Sequence, residues 1–323
     1  MLQTAFTRLV GIDHPVVCAG MGSGASDGGL AGAVSEGGGL GVIGASGLAP
    51  EDVTTMAERA RELTSKPFGI NLLLFGAEEL LDLVLSLEPA VLSTAWPRDD
   101  QDLQAIFTRA HETGAKVMHM VPTVDDAKRA AEAGADVIVA QGTDGGGHIG
   151  EVGTTVIVRQ VVKAVAPLPV LAAGGLADGA GLASALALGA DGVLLGTRFL
   201  AAEEGPMPDW YKQAIVESDG YDTVVTTVAD TLSGQDWPGA WGRVLRTSII
   251  EEWLGREPEL RRRRGEVRAA LAKAWESAPP YPGPIWAGQS AGLIDAVEPA
   301  GEIVARIVAE AEEILRGLDA RLA

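Results

Sequence analysis

A chain of 323 residues, 47% of them hydrophobic, can bury one large core, and it exceeds the roughly 250 residues of a single barrel domain by about one small insertion. Its formal net charge of −19 argues against nucleic acid and anionic membrane as partners, because both demand a basic face. The single cysteine, Cys18, excludes an intrachain disulfide framework and reads as a small buried hydrophobe in a reducing compartment.

The N-terminal stretch MLQTAFTRLVGIDHP holds no apolar segment of signal-peptide length, and glycines or charges interrupt every later apolar run, so a soluble, cytoplasmic protein is expected. Eight short β-rich runs follow in order: Pro15 to Gly20, Leu40 to Ser46, Phe68 to Leu74, Ala90 to Trp96, Lys116 to Val121, Asp136 to Gly142, Pro169 to Gly175 and Gly192 to Arg198. Amphipathic helical stretches such as Pro50 to Leu63 and Val124 to Ala133 separate them. Gly134-Ala135-Asp136 and Gly189-Ala190-Asp191 mark helix ends that run into the next strand. Eight βα units in sequence specify an α/β fold of the (β/α)8 TIM barrel type rather than an open doubly wound sheet.

From about Gly205 the rhythm stops. Residues 205–284 read as a mostly helical cap inserted before the final helix, and residues 1–204 with 285–323 as the barrel. Trp237, Trp241, Trp253 and Trp275 of the cap either cover a ligand or pack a small helical core. The run Arg261 to Arg264 is the solvated side of a helix or a docking point. The chain returns through Ile285 to Ile294 into a helix from Ala300 to Leu315, with Ile303, Val304, Ile307 and Val308 on one face.

Barrel active sites lie at the C-terminal ends of the strands. Those ends carry Ala19, Gly20 and Met21, then Ser46, Asn71, Trp96, His119 and Gln141, and finally Ala173-Gly174-Gly175 and Gly196-Thr197. The segment Ala140 to Gly150, AQGTDGGGHIG, ends an apolar run in glycines around one histidine. Gly142, Gly145, Gly146 and Gly147 remove the Cβ atoms that would keep a planar ligand away, and His148 can move a proton near neutral pH. The alternative is a structural turn whose histidine caps a carbonyl. His119 points either into the mouth or toward a neighbouring carbonyl. Gly174-Gly175 and Gly196-Thr197 stand after the seventh and eighth strands, where barrels bind phosphate.

No lysine ends a strand, which disfavours a Schiff-base aldolase, and His119, His148 and Asp144 are too few for a metal hydrolase. A glycine-lined mouth, a phosphate position, the Asn71 and Gln141 amides and one histidine together suit flavin mononucleotide, FMN.

With these residues assembled, the chain resembles the flavin-dependent nitronate monooxygenases, formerly 2-nitropropane dioxygenases. The matching pieces are HPVVCAGMG, AGAVSEGGGLGVIG, KPFGINLLL, AQGTDGGGHIG, PVLAAGGLADG, ALALGADGVLLGTRFL and WAGQSAGLI. The pattern is shared with flavin-dependent enoyl-acyl carrier protein reductases and NADH:quinone reductases.

The resemblance implies FMN across the barrel mouth, held by the glycines, amides and strand ends named above, with His148 as the catalytic histidine. It implies oxidation of a small nitronate or nitroalkane by O2 to a carbonyl compound and nitrite. An NADH-dependent reductase of enoyl thioesters or quinones is the alternative, and a barrel that binds a phosphorylated ligand without chemistry is a third reading. A homodimer is compatible with all three. Asp144-Gly145 departs from the glutamate-alanine pair of many relatives.

Overall fold

All eight apolar runs form strands in the computed structural model, which describes residues 2–235, 237, 240–275 and 283–319. They are β1 (Val16–Cys18), β2 (Gly41–Gly44), β3 (Phe68–Leu73), β4 (Val91–Ala95), β5 (Lys116–Val121), β6 (Val137–Gln141), β8 (Val170–Ala173) and β9 (Gly192–Leu195). A further strand, β7 (Gly147–Ile149), leaves the barrel between β6 and β8.

The eight pair in parallel in the order β1-β9-β8-β6-β5-β4-β3-β2. Hydrogen bonds from Cys18 N to Leu40 O (2.9 Å) and from Leu40 N to Val16 O (3.0 Å) join β1 to the start of β2 and close the barrel. The strands stop short of the sequence expectation where glycine intervenes. Gly174 and Gly175, at φ of +99° and +72°, turn the chain away after Ala173.

Inward residues Val17, Val42, Val91, Met118, Val139, Leu171 and Leu194 fill the barrel, joined by Phe6 and Ile12 from the N-terminal segment. Outward neighbours such as Val16, Ile43, Ile70, Leu92, Ile138 and Val193 pack on the surrounding helices. Side-chain caps start several helices: Asp27 accepts from Leu30 N, Asp102 from Ala105 N and Asp178 from Gly181 N. The final helix, Ala300–Asp319, packs on Gly28–Glu36 and Gly179–Ala187, and Glu310 Oε2 accepts from Gly179 N at 3.0 Å. Among the described residues no helix is long and apolar enough to cross a membrane.

His119 takes neither of its expected orientations. It alternates with the inward Met118, so its ring lies outside the barrel lumen, beside Phe107 at 5.6 Å between centroids. There its Nδ1 shares a 2.7 Å hydrogen bond with the Thr94 hydroxyl of the neighbouring strand. Burial, helped by Arg129, pushes its pKa down to about 3 from an ordinary 6.5. The unfolded chain therefore binds one more proton than the native state between those two values, and stability should fall as pH drops through that window. The denaturation midpoint of His119→Leu should decline less steeply between pH 7 and pH 4 than that of the wild type, whatever its absolute offset. Identical slopes would show that His119 does not carry this proton linkage.

Beyond the barrel, the helices Asp209–Val216, Val228–Ser233, Ser248–Trp253 and Glu257–Trp275 enclose two strands, β10 (Thr223–Thr226) and β11 (Trp241–Leu245). These strands sit inside the stretch expected to be mostly helical. The consecutive β-branched residues Thr223 to Thr227 were the available sequence signal. β11 pairs antiparallel with β10 on one side and with β7 on the other. Trp253 is buried with Val228, Ile250 and Leu260, whereas Trp241 is largely exposed. The Trp275 side chain and residues 276–282 of the expected cap lie outside the described residues.

Candidate active site

The C-terminal strand ends open on a cavity of about 690 Å³, a size usual for small-molecule and cofactor sites. Every residue singled out above as a flavin contact lines it except Gly142. A Cβ on Gly142 would fall 2.1 Å from Thr154 Oγ1, so its bare α-carbon seats the start of the helix Thr154–Val165 instead.

Two amides point inward from the strand ends. Asn71 Nδ2 donates to Ser93 Oγ at 3.0 Å, yet the Asn71 Oδ1 and Gln141 Oε1 atoms are buried without a partner among the described residues. An unpaired buried acceptor costs about 1–3 kcal/mol, so two of them in one cavity suit a ligand that brings hydrogen-bond donors. On the opposite side, Gly174 and Gly175 in left-handed conformations stand beside Gly196 and Thr197. Thr197 Oγ1 accepts from Gly288 N at 2.9 Å, which fixes the returning segment to the end of β9. That segment presses close on the glycine loop: a Cβ on Gly146 would lie 2.4 Å from Gly288 N.

His148 is held by a strand rather than a free loop. It lies on β7 opposite Gly242 of β11, and its neighbour Gly147 faces Arg243. Arg243 clamps the pairing, donating from Nε and Nη2 to Thr143 O (3.2 and 3.0 Å) and from Nη1 to Thr223 Oγ1 (3.0 Å). Burial lowers the Arg243 pKa against the opposing pull of Asp144. Asp144 itself accepts from Thr154 N at 2.9 Å and so braces the loop.

The His148 ring stacks on Trp237, with centroids 3.5 Å apart and planes 12° from parallel, and Trp286 stands 5.1 Å away. Gly242 makes room for Trp286, since a Cβ there would meet the indole at 2.6 Å. Phe75 and Trp96 continue this wall through Trp237. Trp96 adopts φ +51°, a conformation bulky residues rarely take. Of the cap tryptophans named from the sequence, Trp237 therefore reaches the cavity, while Trp253 packs a core.

His148 Nε2 lies 2.8 Å from Oδ1 of Asp230, and both side chains are about nine-tenths buried, at 11% and 9% exposure. A carboxylate can only accept from the neutral ring, so the proton sits on Nε2 and the lone pair on Nδ1. Nδ1 has no hydrogen-bond partner among the described residues. A proton taken at Nδ1 would leave an imidazolium that the Asp230 carboxylate stabilises electrostatically. Sequence reading missed Asp230 because its partner is 82 positions away. Trp286 also went unremarked, although it opens the returning WAGQ segment.

The chain matches the nitronate monooxygenase family over residues 3–84 and 76–310. It is 28% identical over 367 residues to a probable nitronate monooxygenase of Staphylococcus aureus, covering 97% of this chain and 99% of that protein. A Mycobacterium tuberculosis (3aS,4S,5R,7aS)-5-hydroxy-7a-methyl-1-oxo-octahydro-1H-indene-4-carboxyl-CoA dehydrogenase is 37% identical over 257 residues, covering 78% of this chain and 68% of its own. Among solved structures, FabK from Thermotoga maritima superposes with a TM-score of 0.88 at 36% identity, covering 99% of this chain and all of that one. A nitroalkane oxidase from Streptomyces ansochromogenes gives 0.82 at 28%, covering 98% and 100%.

Proposed function

The chain belongs to the nitronate monooxygenase family of oxidoreductases, and from that premise we propose that it holds FMN in the barrel mouth and oxidises alkyl nitronates with O2 to a carbonyl compound and nitrite. One observation carries this reading: a histidine with a ring nitrogen that has no partner among the described residues shares its cavity with two buried amide oxygens likewise unpartnered among them, and with a glycine-rich rim.

The residues fit the cofactor. Asn71 Oδ1 and Gln141 Oε1 would accept from the cofactor's single ring N–H and its ribityl hydroxyls, and Gly20 and Met21 would face the ring. Gly174, Gly175, Gly196 and Thr197 would receive its phosphate through backbone N–H groups. When bound, FMN supplies the electron acceptor that carries reducing equivalents from substrate to O2.

Nδ1 of His148 would remove the α-proton of a neutral nitroalkane. Asp230 would keep the ring in the required tautomer and stabilise the cation that forms. Phe75, Trp96, Trp237 and Trp286 would shield the reacting carbon from water.

The test is an anaerobic visible spectrum of the purified protein before and after adding propionate 3-nitronate without NADH. Loss of the oxidised-flavin absorbance supports direct donation by the nitronate. A flavin that stays oxidised overturns it.

A second reading has its own support, because the identity to the coenzyme A thioester dehydrogenase and to FabK exceeds that to the nitronate enzymes. In it the same cavity would pass hydride between a nicotinamide nucleotide and a thioester. Reduction of the flavin by NADH at the rate of turnover would select this reading.

A further inference from the structure

The arginine run of the cap has no role in the proposed flavin site, and its helix presents arginines on different sides. On the helix Glu257–Trp275, Leu260 and Val267 are buried beside Trp253. Arg256 and Arg263 lie over the Trp253 ring and pair with Glu259 and Glu266. Arg264 and Arg268, one turn apart on another side, have no carboxylate partner among the described residues.

That side faces the cavity entrance. The Arg264 guanidinium abuts Gly234, and Arg268 lines the cavity with Leu271, opposite Ser233 and Gln235. Among the described residues, the charged or titratable side chains in the lining are His148, Asp230 and Arg268, along with the Tyr211 phenol, and Asp230 is committed to His148. A protein of net charge −19 thus keeps, at the rim of an aromatic cavity, a cation with no carboxylate partner among the described residues. Arg261 and Arg262 are likewise exposed without a carboxylate partner among the described residues, but only Arg268 of these arginines lines the cavity. A planar fork left open is suited to a carboxylate or phosphate.

We propose that Arg268, with Arg264 behind it, forms an anion-binding subsite at the cavity entrance that selects substrates carrying a carboxylate or phosphate distal to the reacting carbon. The apolar body of such a substrate lies along Leu271, Trp237 and Trp286 between the rim and His148. This rests on the reading of the cavity as a substrate site. The subsite is partly exposed, so the preference it creates weakens with ionic strength.

Two nitronates of equal length separate the contributions: that of 4-nitrobutanoate, which ends in a carboxylate, and that of 1-nitrobutane, which ends in a methyl group. In Arg268→Gln the ratio of their kcat/KM values should shift about tenfold against the carboxylate, through KM, and Arg264→Gln/Arg268→Gln should shift it further. An unchanged ratio overturns the proposal. Binding without turnover is followed by quenching of tryptophan fluorescence with butanoate and, separately, with inorganic phosphate. A saturable response to either, lost in Arg268→Gln, supports the subsite and says which anion it takes. No saturable response to either anion in the wild type overturns it. If neither nitronate is oxidised, the functional reading fails while the fluorescence titration still decides the subsite.

Discussion

His148→Asn should lower turnover of neutral nitroalkanes by about 10²–10⁴-fold, the range that a positioned general base contributes, while nitronates keep rates within about threefold of the wild type. The asymmetry follows from where the ring nitrogen stands. Nδ1 has no partner among the described residues, and the other end of this buried pair is fixed on Asp230. A nitroalkane must lose its α-proton before it can donate electrons, whereas a nitronate has already lost it. Asparagine retains a polar side chain of similar reach on β7 but has no basic nitrogen. Steady-state rates with both substrate forms, prepared separately and mixed at one pH, make the comparison. Equal loss on both would mean that His148 binds substrate rather than abstracting a proton.

Asp230→Asn should be the second most damaging change, costing nitroalkane turnover about 10²-fold or more. The amide is isosteric with the carboxylate, so the fold around the helix Val228–Ser233 should persist. Its NH2 group, however, can donate to Nε2, which favours the ring form with the proton on Nδ1 and the lone pair facing the new amide. The base would then point the wrong way. The same reversal costs about 10⁴-fold in a Ser-His-Asp triad. Asp230→Ala removes the partner without imposing the wrong tautomer, and should lose less than Asp230→Asn. Nitrogen NMR of 15N-histidine protein, in the absence of substrate, reads the tautomer directly. A ring that keeps its proton on Nε2 in Asp230→Asn would remove the positioning role, leaving only packing.

The barrel was legible because each strand is a compact apolar run between helices with recognisable ends, and both faces of a parallel strand are buried. That same double burial hid the orientation of His119. In Lys116 to Val121 its neighbours Met118 and Met120 are as apolar as the outward Val117, so the run fixes a strand but not which residues face the lumen. The glycine positions at the strand ends were legible because they interrupt otherwise continuous hydrophobicity. The setting of His148 was not. β7 is three residues long, and its partner β11 lies far along the chain, beyond β8, β9 and half of the cap, so no local pattern announces the pairing. Asp230 likewise looks like any acid on a short helix until the fold brings it to the imidazole.

The strand bearing His148 is encoded between two barrel strands yet hydrogen-bonded to the cap. Inheritance by sequence and inheritance by structure therefore diverge at this point. Any change in residues 205–284 that moves β11 or Asp230 also moves His148. A chimera that exchanges residues 205–284 alone would give His148 a foreign β-partner and a foreign carboxylate, and restoring its chemistry would require carrying Gly147–Ile149 across with the cap.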